Sequence, residues 1–68
     1  MIQYSIDVLA ALKEAGYSQT FLKKENILSG RSVDNLRNGK PTTWDTLNVL
    51  CDLLRCQPGD LLEWTPDD

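Results

Sequence analysis

Apolar residues return along this chain in blocks at helical spacing. Val8, Leu9, Ala11, Leu12 and Ala15 make one stripe of a 3.6-residue repeat. Trp44, Leu47, Leu50, Cys51 and Leu54 make another, widened by Val49 and Leu53. Between them lie two shorter blocks, one around Phe21 and Leu22 and one holding only Val33 and Leu36. A polar residue suited to capping stands before each block: Ser5, Ser18, Ser29 and Thr43. A hydroxyl oxygen there can accept from N–H groups of the first turn that have no partner inside the helix. The residue before each serine is apolar, and so is the fourth helical residue after it: Tyr4 with Leu9, Tyr17 with Leu22, Leu28 with Val33. These pairs read as hydrophobic staples, which fix how the chain enters a helix. Asp7 and Asp45 place negative charge near the positive ends of the first and fourth helices.

The stops are equally local. Gly16 ends the first helix, Asn38-Gly39 ends the third, and Pro41 forbids its continuation. Pro58 suits the first turn of a final short helix. The pattern predicts helices over 6–15, 19–25, 30–37, 44–55 and 59–62 in a single domain, 1–68. Met1 to Tyr4 alternates like a short strand, and the tail beyond Thr65 cannot be helical. An extended segment around Trp64 can pair with Ile2 to Tyr4 or with a second copy of itself.

Two capped helices of about two turns each, joined by so few residues, predict a helix-turn-helix over 18–40. Its second helix has only two strong inward residues and a polar outer face of Arg31, Ser32, Asp34, Asn35 and Arg37. Periodicity leaves two readings open there, a solvated surface helix and a recognition helix. Ser18-Gln19, Leu22, Leu28-Ser29, Val33, Leu36 and Asn38-Gly39-Lys40 resemble the DNA-binding domain of the lambda repressor/Cro-like (Xre) family. Thr43-Trp44-Asp45-Thr46-Leu47, with Leu50-Cys51 and Leu54, resembles that family's next helix. Cys56-Gln57-Pro58-Gly59-Asp60-Leu61-Leu62-Glu63 resembles the last helix of a small-regulator branch. The resemblance covers nearly the whole chain and implies an all-α, compact five-helix lambda-repressor-like fold with the helix-turn-helix at helices 2 and 3. It also selects the recognition reading for helix 3. Two positions depart from the family pattern: Lys23 stands where alanine is usual and Ile27 where the turn usually has glycine. The lysine must run its stem out along the surface. Isoleucine resists a left-handed conformation, so a longer or differently shaped turn is expected.

Size and charge refine this picture. A chain of 68 residues buries only about 60% of its unfolded surface, so its stability is modest and a partner helps. The leading Met1 carries the expectation of a whole protein rather than an excised domain. No apolar run reaches membrane-spanning length and no signal pattern opens the chain, so a cytoplasmic location is expected. Cys51 and Cys56 are read as reduced, buried thiols rather than a disulfide. With no histidine and two cysteines, no metal site or cofactor is expected. No small-molecule ligand is evident. The absence of histidine, a nucleophile elbow or a glycine-rich phosphate loop argues against an enzyme.

The net charge of −3 looks wrong for a nucleic-acid binder until it is divided along the chain. Residues 18–41 hold Lys23, Lys24, Arg31, Arg37 and Lys40 against Glu25 and Asp34, a net +3. Residues 42–68 hold Arg55 against Asp45, Asp52, Asp60, Glu63, Asp67 and Asp68, a net −5. A basic motif with an acidic rear penalises approach to DNA the wrong way round.

The resemblance implies that Gly30, Arg31 and Asn35, with Asp34 beside them, face base edges in the major groove of double-stranded DNA. Arginine can donate twice to guanine and asparagine can pair with adenine, while an aspartate can accept from cytosine. Phosphate contacts are expected from Gln19 at a helix N-terminus, from Ser29, and from Arg37, Asn38 and Lys40 around the glycine stop. One such motif reads few base pairs, so a homodimer on a palindromic operator is expected, built around Leu61, Leu62 and Trp64 away from the basic face. The competing reading is a protein-interaction module of the same shape, antitoxin-like or anti-repressor. The acidic half and the exposed-looking Val49, Leu53 and Trp64 favour it.

Overall fold

The computed structural model describes residues 1–67, and each of its four α-helices begins on a side-chain cap. Asp68, the last of the acidic residues, lies outside the described residues. Helix α1 spans Val8–Glu14, α2 Gln19–Lys24, α3 Gly30–Arg37 and α4 Trp44–Leu54. The caps are Asp7, Ser18, Ser29 and Thr43, each side chain accepting an N–H three residues on at 3.1 Å.

The first of these is not Ser5. That serine is held by the far end of the chain: its N–H donates to Leu61 O at 2.9 Å and its hydroxyl to Asp60 O at 3.3 Å. Asp7 therefore takes the cap, and α1 starts at Val8. Tyr4 and Leu9 both pack against the core but no longer occupy the staple positions.

All four helices stop in one way. A residue with positive φ follows the helix, and the next N–H reaches back five residues to a carbonyl of the last turn. Gly16 (φ 98°) sends Tyr17 N–H to Leu12 O at 2.8 Å, and Gly39 (φ 69°) sends Lys40 N–H to Asn35 O at 2.8 Å. After α2 the positive-φ residue is Asn26 (φ 55°), with Ile27 N–H on Leu22 O at 2.9 Å. The turn thus spares Ile27 by moving the left-handed position one residue earlier, onto a side chain that tolerates it. After α4 the position falls to Arg55 (φ 52°), with Cys56 N–H on Cys51 O at 3.1 Å. Arginine has no such tolerance. Arg55→Gly removes about 1–2 kcal/mol of strain and adds about 0.5–1 kcal/mol of chain entropy to the unfolded state. The exposed Arg55–Asp52 pair at 3.5 Å that it also removes is worth little. The variant is expected to melt slightly higher than the parent; an equal or lower midpoint would show that the left-handed turn is not strained.

The core is Val8, Leu12, Leu22, Leu28, Val33, Leu36, Leu50 and Leu61, with Thr46 the buried polar member. Two large residues expected to face inward do not, and neither does the small Ala15. Phe21 is 40% exposed and lies tilted against Tyr17 on the surface of α2, and Trp44 is 86% exposed at the first position of α4. Val49 and Leu53 are half-buried against the core.

The expected fifth α-helix is one turn of 3-10 helix, Pro58–Asp60. Asp60 Oδ2 accepts the Gln57 N–H at 2.9 Å and closes that turn. Beyond it the chain goes extended as β2 (Leu62–Trp64) and pairs antiparallel with β1 (Ile2–Tyr4). The register sets Ile2 against Trp64, Gln3 against Glu63 and Tyr4 against Leu62. Pairing with β1 holds residues 62–64 extended, which is why the helix stops. Leu61, expected at a dimer surface, is fully buried between the 3-10 turn and β2. Among the described residues, no helix is long and apolar enough to cross a membrane.

Candidate nucleic-acid interface

Helix α3 is anchored by Val33 and Leu36 and presents Gly30, Arg31, Asp34 and Arg37 to solvent, with Ser32 and Asn35 half-buried. Arg31 and Asn35 lie one turn apart and share a face.

Both ends of α3 are fixed by contacts outside it. At its N-terminus runs a chain of hydroxyls. Ser29 Oγ donates to Ser32 Oγ at 3.0 Å, Ser32 Oγ lies 3.4 Å from Thr46 Oγ1, and Thr43 Oγ1 donates to Thr46 Oγ1 at 3.2 Å. The caps of α3 and α4 are thereby joined, and the buried Thr46 is satisfied. At the other end, Tyr4 Oη donates to Lys40 O at 2.7 Å. Burial pushes the Tyr4 phenol up, so it stays protonated and able to donate through the neutral range. Thr46 and Tyr4 were not among the sequence-derived site residues. Thr46 carries a visible signal, a hydroxyl one turn before Leu50 on the inward stripe of α4. Tyr4 carries none, because Lys40 is 36 residues away.

The expected DNA contacts divide into two groups. Arg37 donates to Asp34 Oδ1 at 2.8 Å and to Gln19 Oε1, bridging the start of α2 to α3. Its charge is countered by Asp34, so it acts here as a strut between helices; Asp34 in turn is occupied with Arg37 rather than free to accept from a base. Gln19 spends its acceptor on Arg37 and keeps its amide N–H groups as donors. Ser29 spends its one hydroxyl proton on Ser32, leaving no side-chain donor for a phosphate. In contrast, Lys23, Lys24, Arg31 and Lys40 are exposed and have no ion pair among the described residues. A Cβ built on Gly30 meets nothing within 4 Å, so the first position of α3 faces open space. Asn38 is exposed at the helix stop, its N–H bonded to Asp34 O at 3.0 Å. Leu62 is half-buried against the core while Trp64 is 68% exposed.

Two short capped helices joined by a tight turn, the second held at both ends with its polar face open, define a helix-turn-helix domain. The family model of the Cro/C1-type helix-turn-helix DNA-binding domain matches residues 5–67. A protein of Bacillus subtilis (strain 168), described as the uncharacterized HTH-type transcriptional regulator YozG, is 35% identical over 66 residues, covering 94% of this chain and 76% of that protein. No solved structure matches significantly. The chain belongs to the Cro/C1-type helix-turn-helix DNA-binding family.

Proposed function

We propose that this protein is a transcriptional regulator that reads the major groove of double-stranded DNA with α3 and has no catalytic activity. The observation that carries this is Arg31: an exposed guanidinium, without an ion pair among the described residues, on the first turn of a helix fixed at both ends. Such a group can meet guanine O6 and N7 without first breaking a contact of its own. Asn35 stands one turn further along as the partner for adenine, and Gly30 allows close backbone approach. Phosphates are met by Lys40, Asn38 and the Gln19 amide, with Lys23 and Lys24 adding to the field. Selection of bound sequences from random duplex DNA, followed by a salt titration at the best site, tests the reading. A steep fall of affinity with salt and a defined consensus are expected; no enrichment and no salt dependence would overturn it.

Lys40→Ala separates positioning from readout. It is expected to weaken binding to all sequences alike and lower the salt slope by about 1. A loss confined to the selected site would give Lys40 a base-reading role instead.

A homodimer on a palindromic site completes the proposal, with recognition helices about 34 Å apart. Leu62 and Trp64 alternate with Glu63, so their side chains share the ribbon face of Tyr4 and Ile2. Ile2 and Trp64 are each 68% exposed where that face runs past the core. The second reading, a protein-interaction module, is favoured by the same exposed pair together with Trp44. Sedimentation of the parent and Trp64→Ala, with and without a palindromic duplex, distinguishes the readings. A parent that stays monomeric and binds the palindrome without cooperativity would remove the dimer. A stable heteromer without DNA binding would establish the second reading.

A further inference from the structure

The two cysteines sit on the two sides of the left-handed turn that ends α4. Cys51 is in the last turn of the helix, and Cys56 is the first residue beyond Arg55. The hydrogen bond from Cys56 N–H to Cys51 O, 3.1 Å long, holds their backbones together across that turn. A disulfide needs α-carbons about 4.4–6.8 Å apart, and in a 6→1 turn the first and last residues are commonly in contact. Both residues are free and half-buried, and both line one open cleft with Arg55, Gln57 and Asp60. Solvent-borne reagents therefore reach the pair without unfolding.

We propose that Cys51 and Cys56 are a reversible oxidation site, closing to an intramolecular disulfide by exchange with a small disulfide oxidant. The thiolate of one cysteine attacks a sulfur of the oxidant, forming a mixed disulfide and releasing one thiolate. The second cysteine, deprotonated in turn, attacks the protein-side sulfur of that mixed disulfide and expels the other. Two protein thiols lose two electrons and two protons; one oxidant disulfide gains them and becomes two thiols. Burial, with the neighbouring Cys51 and Asp60 adding to it, pushes the Cys56 thiol up, so Cys56 must lose its proton to solvent before it can attack. Arg55 and Asp60 both line the cleft, so its local charge is mixed, and glutathione disulfide serves as the small probe oxidant.

The bond would clamp the end of α4 to the segment leading into the 3-10 turn, Leu61 and β2. The opposite end of α4 holds α3 through Thr43 and Thr46, so oxidation acts on the ribbon end of the molecule and not on the DNA-facing end. This inference stands whether or not α3 reads bases.

The test equilibrates the folded protein with mixtures of reduced and oxidised glutathione, quenches with acid, and reads mass and free thiols. The expected product is a monomer lighter by two hydrogens in which both thiols disappear together, restored by excess reduced glutathione. Its melting temperature should exceed that of the reduced parent by several degrees. Cys51→Ser should show no such oxidative rise, taking up glutathione on Cys56 instead. Protein carrying glutathione on both cysteines, only intermolecular disulfides, or two free thiols in a mixture that oxidises the urea-unfolded chain would each overturn the proposal. The parent alone decides these outcomes, so the test survives a serine variant that fails to fold.

Discussion

Arg31→Ala is expected to lower affinity for the selected DNA site by about 5- to 150-fold, about 1–3 kcal/mol, and to relax preference at one base pair. Asn35→Ala should do the same at a neighbouring position. The size of the effect follows from what each side chain does in the free protein. Arg31 is exposed and unpaired among the described residues, so its removal costs the fold almost nothing and any loss belongs to DNA. Asn35 is half-buried, but it helps close the helix through its backbone carbonyl, which accepts the Lys40 N–H whatever the side chain. Arg37 is the control. It is tied to Asp34 and Gln19, so Arg37→Ala should loosen α2 against α3 and weaken all sequences without changing the consensus. Competition binding against single-base variants of the site reads both quantities. If Arg31→Ala and Asn35→Ala each bind as tightly as the parent with unchanged preference, α3 does not read bases.

The contrast between Arg31 and Arg37 also shows what the sequence reveals and what it hides. Ser18, Ser29 and Thr43 are legible as caps because capping is settled within three residues of chain. Gly16 and Gly39 are legible as stops for the same reason. The i, i+3 spacing of Asp34 and Arg37 permits their pairing, but from sequence alone Arg37 is expected at a phosphate and Asp34 at a base edge. The Gln19 contact that completes the strut joins residues 18 apart and follows only from how α2 crosses α3. Ser5 and Asp7 are both competent caps, and the choice between them is made by Leu61 and Asp60, at the other end of the chain. The same long-range pairing converts the predicted last helix into a single 3-10 turn and a strand. Pro58 starts a helix as read. Pairing of a segment around Trp64 with Ile2 to Tyr4 is one of two options the sequence leaves open, but nothing local says that the strand begins at Leu62. Trp44 misleads differently. It falls on the flank of the α4 stripe, where a 3.6-residue repeat cannot tell a covered position from an open one.

Leu61→Ala is expected to remove most of the stability of the domain. A chain of this size rarely has more than about 3–5 kcal/mol to lose, and truncating a buried leucine typically costs about 2–5 kcal/mol. Leu61 is fully buried and its own backbone carbonyl receives the Ser5 N–H at 2.9 Å, so it joins the end of the chain to the beginning. A cavity there undermines the 3-10 turn, the ribbon and the one core cluster that Leu61 shares with Leu12 and Leu50. From sequence alone Leu61 is expected with Leu62 and Trp64 at a dimer surface, and the two roles predict different data. A core residue gives a variant with a lowered or lost melting transition that does not depend on protein concentration. A surface residue gives a monomer of parental stability whose self-association alone is weakened, with the midpoint moving with concentration. Trp64→Ala, at a position 68% exposed, serves as the internal comparison and should leave the dilute monomer's melting nearly unchanged. Thermal melts of both variants at several concentrations decide the matter. A Leu61→Ala protein that melts with the parent at low concentration would mean that the core does not close around this residue.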